Sequence, residues 1–286
     1  MLYSILLNFS DQLSFLNFFK FLTVRTGLSM FTAMIVVFLV GDSFIKYFSS
    51  KQIHDPIRED GPENHIIKKI GTPTMGGLLI LFSIVFSCLC WGDLNNKYLL
   101  ISIAVTFLFG VIGLVDDYLK LRFSDSKGLS GKSRLFWEIL VAICASTLIY
   151  FFATSVEETT LFLPFFKDFA LQLGIWFILF SSLVLVATAN AVNLTDGLDG
   201  LAIMPSVMVA AGMGIIAYIS GNAILSDYLN VPYLFYSTEI VIFCGALVGA
   251  GIGFLWFNTY PAQIFMGDVG SLSLGAALGI IAVSIR

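Results

Sequence analysis

The sequence predicts an all-α, polytopic membrane protein, a bundle of about eight spanning helices in this chain. Of the 286 residues, 58% are hydrophobic and 12% charged, and the mean hydropathy is +0.92. The apolar residues gather into runs near the roughly 20 residues that a helix needs to cross a bilayer. The basic residues, in turn, are sorted between alternate connections, as one membrane orientation requires. Such a composition excludes a soluble domain with a large core, and nothing in it points to nucleic acid. The net charge of −4 says little, because charge is sorted by side.

Taken in order, residues 1–21 are apolar and aromatic but carry Asp11 and lack a basic leader and a small-residue cleavage site. They read as an interfacial segment leading into the first span, not as a cleaved signal. Spans are expected at 28–47, 75–91, 98–115, 135–152, 169–189, 201–219, 233–257 and 270–285. The connection after the first holds Lys51, Arg58, Lys68 and Lys69; the one after the third holds Lys120, Arg122, Lys127, Lys132 and Arg134. The opposite side has only Lys20, Arg25, Lys97, Lys167 and Arg286. This bias puts the odd-numbered connections in the cytoplasm and the N-terminus outside. Glu138 and Glu239 stand near span starts, where snorkelling or pairing accounts for them. No ionisable residue sits near mid-helix, which weighs against a proton-coupled transporter. Cys88, Cys90, Cys144 and Cys244 all lie in apolar runs and read as packing residues, not as disulfides or zinc ligands.

The polar clusters all fall in odd-numbered connections, so one cytoplasmic active face is expected. The richest is Asn-Ala-Val-Asn-Leu-Thr-Asp-Gly-Leu-Asp-Gly at 190–200. Asn190, Asn193 and Asp196 recur every third residue, so a helical turn places them near one face. Gly197 and Gly200 let the backbone leave that helix or approach a ligand. Short polar side chains and two carboxylates, Asp196 and Asp199, suit a hydrated cation or a phosphorylated substrate. A capped connecting turn is the plainer account of any one of these residues; their convergence favours function.

Span three ends in Asp116-Asp117-Tyr118-Leu119-Lys120. Adjacent carboxylates at a helix C-terminus face an unfavourable dipole and repel each other, and Lys120 can offset part of that cost. A pair held at such a cost is a candidate general base or metal site. The following Lys-Gly-Leu-Ser-Gly-Lys-Ser-Arg at 127–134 interleaves glycines with basic residues and could embrace a diphosphate, although it lacks the spacing of a P-loop. The first connection ends Lys-Lys-Ile-Gly-Thr-Pro-Thr-Met-Gly-Gly at 68–77, which could hold a phosphate or be only positive-inside charge before a helix cap. His54 and His65 lack ligand spacing and read as surface residues. Asp268 precedes span eight, where it could cap the helix or, held ionised, bind Mg²⁺. Phe265 offers a flat apolar face for a base ring.

Four of these stretches together resemble the polyprenyl-phosphate N-acetylhexosamine-1-phosphate transferase superfamily: 71–77, 116–120, 190–201 and 265–271. Each is short; four in order on one membrane face are specific. The Pro-Thr-Met-Gly-Gly and Leu-Thr-Asp-Gly-Leu-Asp wording is similar to the muramoyl-pentapeptide branch, while sister enzymes using UDP-N-acetylglucosamine share the aspartates. The resemblance implies transfer of phospho-MurNAc-pentapeptide from UDP-MurNAc-pentapeptide to undecaprenyl phosphate, giving lipid I and UMP with Mg²⁺ at the bacterial inner membrane. It implies Asp268 and Asn193 as metal ligands and Asp116 as the base, with Asp117 and Lys120 beside it. Lys69, Thr74 and Lys132 would serve the phosphates and sugar, and Asn190, Asp196, Asp199, Asn258 and Phe265 would shape the nucleotide pocket. The family has ten spans and a late loop with consecutive histidines, whereas here no histidine follows His65. The expectation is therefore a single membrane-embedded domain over 1–286, lacking the family's last two helices and any homodimer contacts they make. Two other classes compete: a lipid or substrate transporter whose acidic loops are gates, which an internal repeat would favour and none is evident, and a non-catalytic remnant that only binds lipid or partners.

Overall fold

A computed structural model describes residues 2–9, 13–51, 72–123, 128–162 and 170–285. Two short pieces, α1 (Leu2–Asn8) and a 3₁₀ turn (Ser14–Lys20), lead into α2 (Leu22–Ser50). Then come α3 (Gly77–Trp91), α4 (Lys97–Phe123), α5 (Gly131–Phe152), α6 (Trp176–Thr195) and α7 (Ile203–Ser220). A short α8 (Ala223–Leu229) precedes α9 (Thr238–Asn258) and α10 (Gly267–Ile285). Seven of these helices are long and apolar enough to cross a membrane, and the 15-residue α3 is apolar but shorter. The protein is thus a multi-pass helical membrane protein.

The expected spans match these helices with three differences. The fifth begins later than 169–189 implied, because 170–172 form strand β2 (Ala170–Gln172), antiparallel to β1 (Thr160–Phe162) with Leu161 opposite Leu171. Continuous apolar runs do not distinguish a short strand from the first turn of a buried helix. The third helix continues through Asp116–Asp117 to Phe123, two turns past the expected end. The polar α8 region was not foreseen as a helix; Asn222 starts it by accepting from the amides of Ile224 and Leu225.

Two helices form the interior. In α9 and α10, 78% and 89% of the apolar window is buried, against 22–50% in the other five long helices. Their sequences explain this: both are dense in glycine and alanine, and α10 also in serine, small residues that let neighbouring backbones approach where lipid offers no hydrophobic drive for association. A methyl group at Gly249 would overlap the carbonyl of Met30 on α2, and one at Gly77 would overlap Gly270 across the α3–α10 crossing. α2, α3 and α7 pack around α9, and α3, α4 and α6 around α10. Outer faces carry exposed Leu39, Phe151, Met208 and Trp256, a lipid-facing rim. Two pairs of buried hydroxyls meet across helices, Ser29 with Ser87 at 2.9 Å and Ser182 with Ser146 at 3.2 Å.

Candidate active site

The described parts of the connections α2–α3, α4–α5, α6–α7 and α9–α10 meet at one end of the bundle, and residues in or beside all four build one site. Its centre is Lys120. The ammonium lies 2.6 Å from Asp116 Oδ2, 2.5 Å from Asp268 Oδ2 and 3.8 Å from Asp117 Oδ1. Lys120 and both neighbouring aspartates share one face of α4 by their three- and four-residue spacing. Asp268 arrives from the start of α10, 148 residues away in sequence. Close backbone packing makes that approach possible, since a side chain at Gly113 of α4 would collide with the carbonyl of Asp268.

The two adjacent carboxylates have different work. Asp117 is buried, and its two oxygens accept the backbone amides of Asp268 and Val269, each at 3.2 Å. It therefore satisfies the open N–H groups at the start of α10 from a neighbouring helix. The sequence had offered Asp268 as that cap. In the structure Asp268 lies inside the first turn of α10, and its carboxylate points to Lys120 instead. Nor does the α4 dipole oppose the aspartate pair as expected, because the helix runs on to Phe123 and the dipole acts mainly over its last turn. Burial is what makes the pair costly. Asp116 accepts from Leu129 N at 2.8 Å, and Gly128 (φ +53°) packs so closely on Asp116 and Lys120 that a side chain there would touch both. The described part of the glycine-rich stretch thus grips a carboxylate with its backbone, at Leu129 N. Gly267 (φ +72°) similarly leaves room for Asp117 and the buried Thr74.

Oxygens of Asp116, Asp117 and Asp268 all lie within 4.8 Å of one another, a group that could hold a metal ion. With all three carboxylates ionised, they and the Lys120 ammonium carry a formal charge of −2, and the nearby Arg134 is offset by its own partner Glu138. An all-oxygen donor set with a residual negative charge fits a hard divalent cation. Asn193, one turn beyond Asn190 on α6, has a buried amide nitrogen with no hydrogen-bond partner among the described residues.

Beside this centre lies a second group, whose members the sequence had singled out separately but not together. Arg134 and Glu138, four apart on α5, form an ion pair at 3.5 Å, and Asn190 of α6 donates to Glu138 Oε2 at 2.5 Å. Glu138 is fully buried, so of the two expected accounts, snorkelling or pairing, it is pairing that holds. The Arg134–Glu138 spacing was the available signal, but a single acid near a span start had a plainer explanation. The remaining candidates join loops. Asn258 accepts from Gly200 N at 3.0 Å and donates to Ile264 O at 2.9 Å, while Asp199 accepts from Ala262 N at 3.1 Å. Phe265 N donates to Pro73 O, and Gly76 N to Phe265 O, so 73–76 runs beside 264–266. Phe265 itself is half-buried. Asp196 forms the C-cap position of α6 and Lys132 is exposed on the first turn of α5. Lys69 and both histidines lie outside the described residues.

Residues 99–286 match the model of glycosyl transferase family 4, and residues 69–81 match phospho-N-acetylmuramoyl-pentapeptide-transferase signature 1. A phospho-N-acetylmuramoyl-pentapeptide-transferase of Pelagibacter ubique is 51% identical over 283 residues, covering 99% of this chain and 78% of that relative.

Proposed function

The chain belongs to glycosyl transferase family 4, among the phospho-N-acetylmuramoyl-pentapeptide-transferases, and from that premise we propose that it makes lipid I. The reaction transfers phospho-MurNAc-pentapeptide from UDP-MurNAc-pentapeptide to undecaprenyl phosphate and releases UMP. The observation that carries this reading is the meeting of Asp116, Lys120 and Asp268 at one end of a membrane bundle. That end places charge where a lipid phosphate and a water-soluble nucleotide can both reach it.

Phosphoryl transfer between two anions depends on alignment and charge neutralisation more than on covalent help. Asp268, with Asn193, would hold Mg²⁺, which supplies neutralising charge to the diphosphate when bound. Asp116 takes the proton of the attacking lipid phosphate, at hydrogen-bond reach of Lys120, which steadies the resulting negative charge. Asp117 acts indirectly, by fixing the start of α10 and with it Asp268. Lys132, at the rim, Lys69 and the buried Thr74 serve the phosphates and sugar. Asn190, Asp196, Asp199, Asn258 and Phe265 shape the nucleotide pocket; for Asp199 and Asn258 this means holding the two loops together. The site faces the cytoplasm of the inner membrane, and the whole chain acts as one membrane-embedded domain.

The test is turnover of UDP-MurNAc-pentapeptide with undecaprenyl phosphate by purified protein, with and without Mg²⁺. Formation of lipid I and UMP that stops on chelation is the expected result. Transfer from UDP-N-acetylglucosamine in its place would move the protein to the sister activity, and no transfer from either would leave a binding or transport role.

A further inference from the structure

Glu138 is a carboxylate with no exposure to solvent, on a helix long and apolar enough to cross a bilayer. Such a group is unfavourable unless paired, and in membrane helices it marks function by default. Both of its partners reach the site. Arg134 Nε is 3.5 Å from Glu138 Oε1, while Arg134 Nη1 is 3.9 Å from Asp268 Oδ2 and Nη2 is 3.5 Å from Asn190 Oδ1. Asn190 Nδ2 donates to Glu138 Oε2 at 2.5 Å and to Val186 O at 2.9 Å, so its nitrogen is fully used and its oxygen faces Arg134.

We propose that Glu138 is a positioning residue for substrate, holding Arg134 by its Nε edge so that the other edge of the guanidinium meets a phosphate oxygen of the nucleoside diphosphate. The proposal rests on the functional reading above and names the residue that reads the diphosphate. The guanidinium carries its donors in a rigid plane suited to two phosphate oxygens at once. The ion pair at Glu138 Oε1, an oxygen with no hydrogen bond among the described residues, and the Nη2 contact with Asn190 Oδ1 together orient that plane before substrate arrives, so less ordering remains for binding. The same carboxylate sets the Asn190 amide, which keeps its acceptor towards the site.

The experiment measures affinity for UDP-MurNAc-pentapeptide by calorimetry, steady-state kinetics and melting temperature in detergent, for Glu138→Gln, Arg134→Gln and the double variant. Glutamine keeps the shape and can accept from Asn190, but its amide cannot hold Arg134 Nε as a carboxylate does. Glu138→Gln is expected to melt close to the parent temperature, since the partly exposed Arg134 still faces Asp268 and Asn190, while binding about tenfold more weakly. KM rises and kcat changes less. Arg134→Gln strands Glu138 and lowers both melting temperature and affinity. The double variant regains the melting temperature but not the affinity, and binds no worse than Arg134→Gln alone. Parental affinity in Glu138→Gln or in the double variant overturns the proposal. If Glu138→Gln does not fold, Arg134→Lys carries the test: it keeps a charge opposite Glu138 but loses the planar fork, so the melting temperature holds and affinity falls, and parental affinity again overturns it. A parent protein that binds no UDP-MurNAc-pentapeptide overturns the functional reading itself.

Discussion

Asp268 and Asp116 both touch Lys120, yet their substitution should have different signatures. Asp268→Asn keeps shape and removes the charge that a cation needs. It is expected to lower turnover by about a hundredfold or more, the scale seen when one charge-stabilising group is lost from an active site. Raised Mg²⁺ should restore part of that rate; a parental rate at ordinary Mg²⁺ would reduce Asp268 to a helix-start residue. Asp116→Asn can still accept from Leu129 N but takes no proton, so turnover should fall by about 10²–10⁴ while UDP-MurNAc-pentapeptide binds as before. Calorimetry and single-turnover rates on one preparation decide this, and loss of binding would move Asp116 into the substrate site. These aspartates were legible in the sequence because a carboxylate pair beside Lys120, and another acid before an apolar run, are rare in so apolar a chain. Their division of labour was not: that Asp117 caps α10 depends on a contact across 151 residues. Glu138 was hidden for the same reason, its partner Asn190 lying 52 residues on.

At the scale of elements, hydrophobic runs located every long helix but could not rank them. All are apolar on every side, so periodicity carries no inward face. The signal that ranks them is residue size. Gly245, Gly249 and Gly253 lie four apart on α9, against Thr26, Met30 and Met34 of α2 in turn. Such a ridge sets how closely the two helices approach. Gly249→Leu is therefore expected to cost about 3 kcal/mol or more, at or above the upper range for overpacking, because its neighbour is a carbonyl that cannot rotate away. Gly212→Ala on α7, with nothing within 4 Å, is the matched control and should be neutral to about 1 kcal/mol stabilising. Thermal unfolding in detergent compares them, and equal melting temperatures would show that the α2–α9 contact adapts. The same helices show where element boundaries fail to read from sequence. The start of α6 and the two short strands before it share one apolar composition, and only pairing of Leu161 with Leu171 separates them.

The whole molecule has two chemically different ends. Among the described residues, Lys46, Lys51, Lys120, Arg122, Lys132 and Arg134 stand at the site end, and Lys20, Arg25 and Lys97 at the other. Of the three at the far end, Arg25 is already matched: it meets Glu239 through two contacts, at 2.7 and 3.0 Å, and Glu239 also accepts from Asp93 N. The bias is read from basic residues alone, whether or not they are paired: six of the nine among the described residues stand at the site end, and positive charge is retained on the cytoplasmic side during insertion. α5 tests this directly because it runs from one end to the other, with Lys132 in its first turn and Glu157 just beyond its end, both exposed. In a cysteine-free background, Glu157→Cys should react with a membrane-impermeant maleimide on intact spheroplasts. Lys132→Cys should react only after the membrane is opened. Both substitutions replace exposed side chains, so the fold should tolerate them. The reverse pattern would put the carboxylate cluster outside the cell, away from a cytoplasmic UDP-linked substrate. In that case the bundle and its site geometry would stand, and the proposed reaction would not.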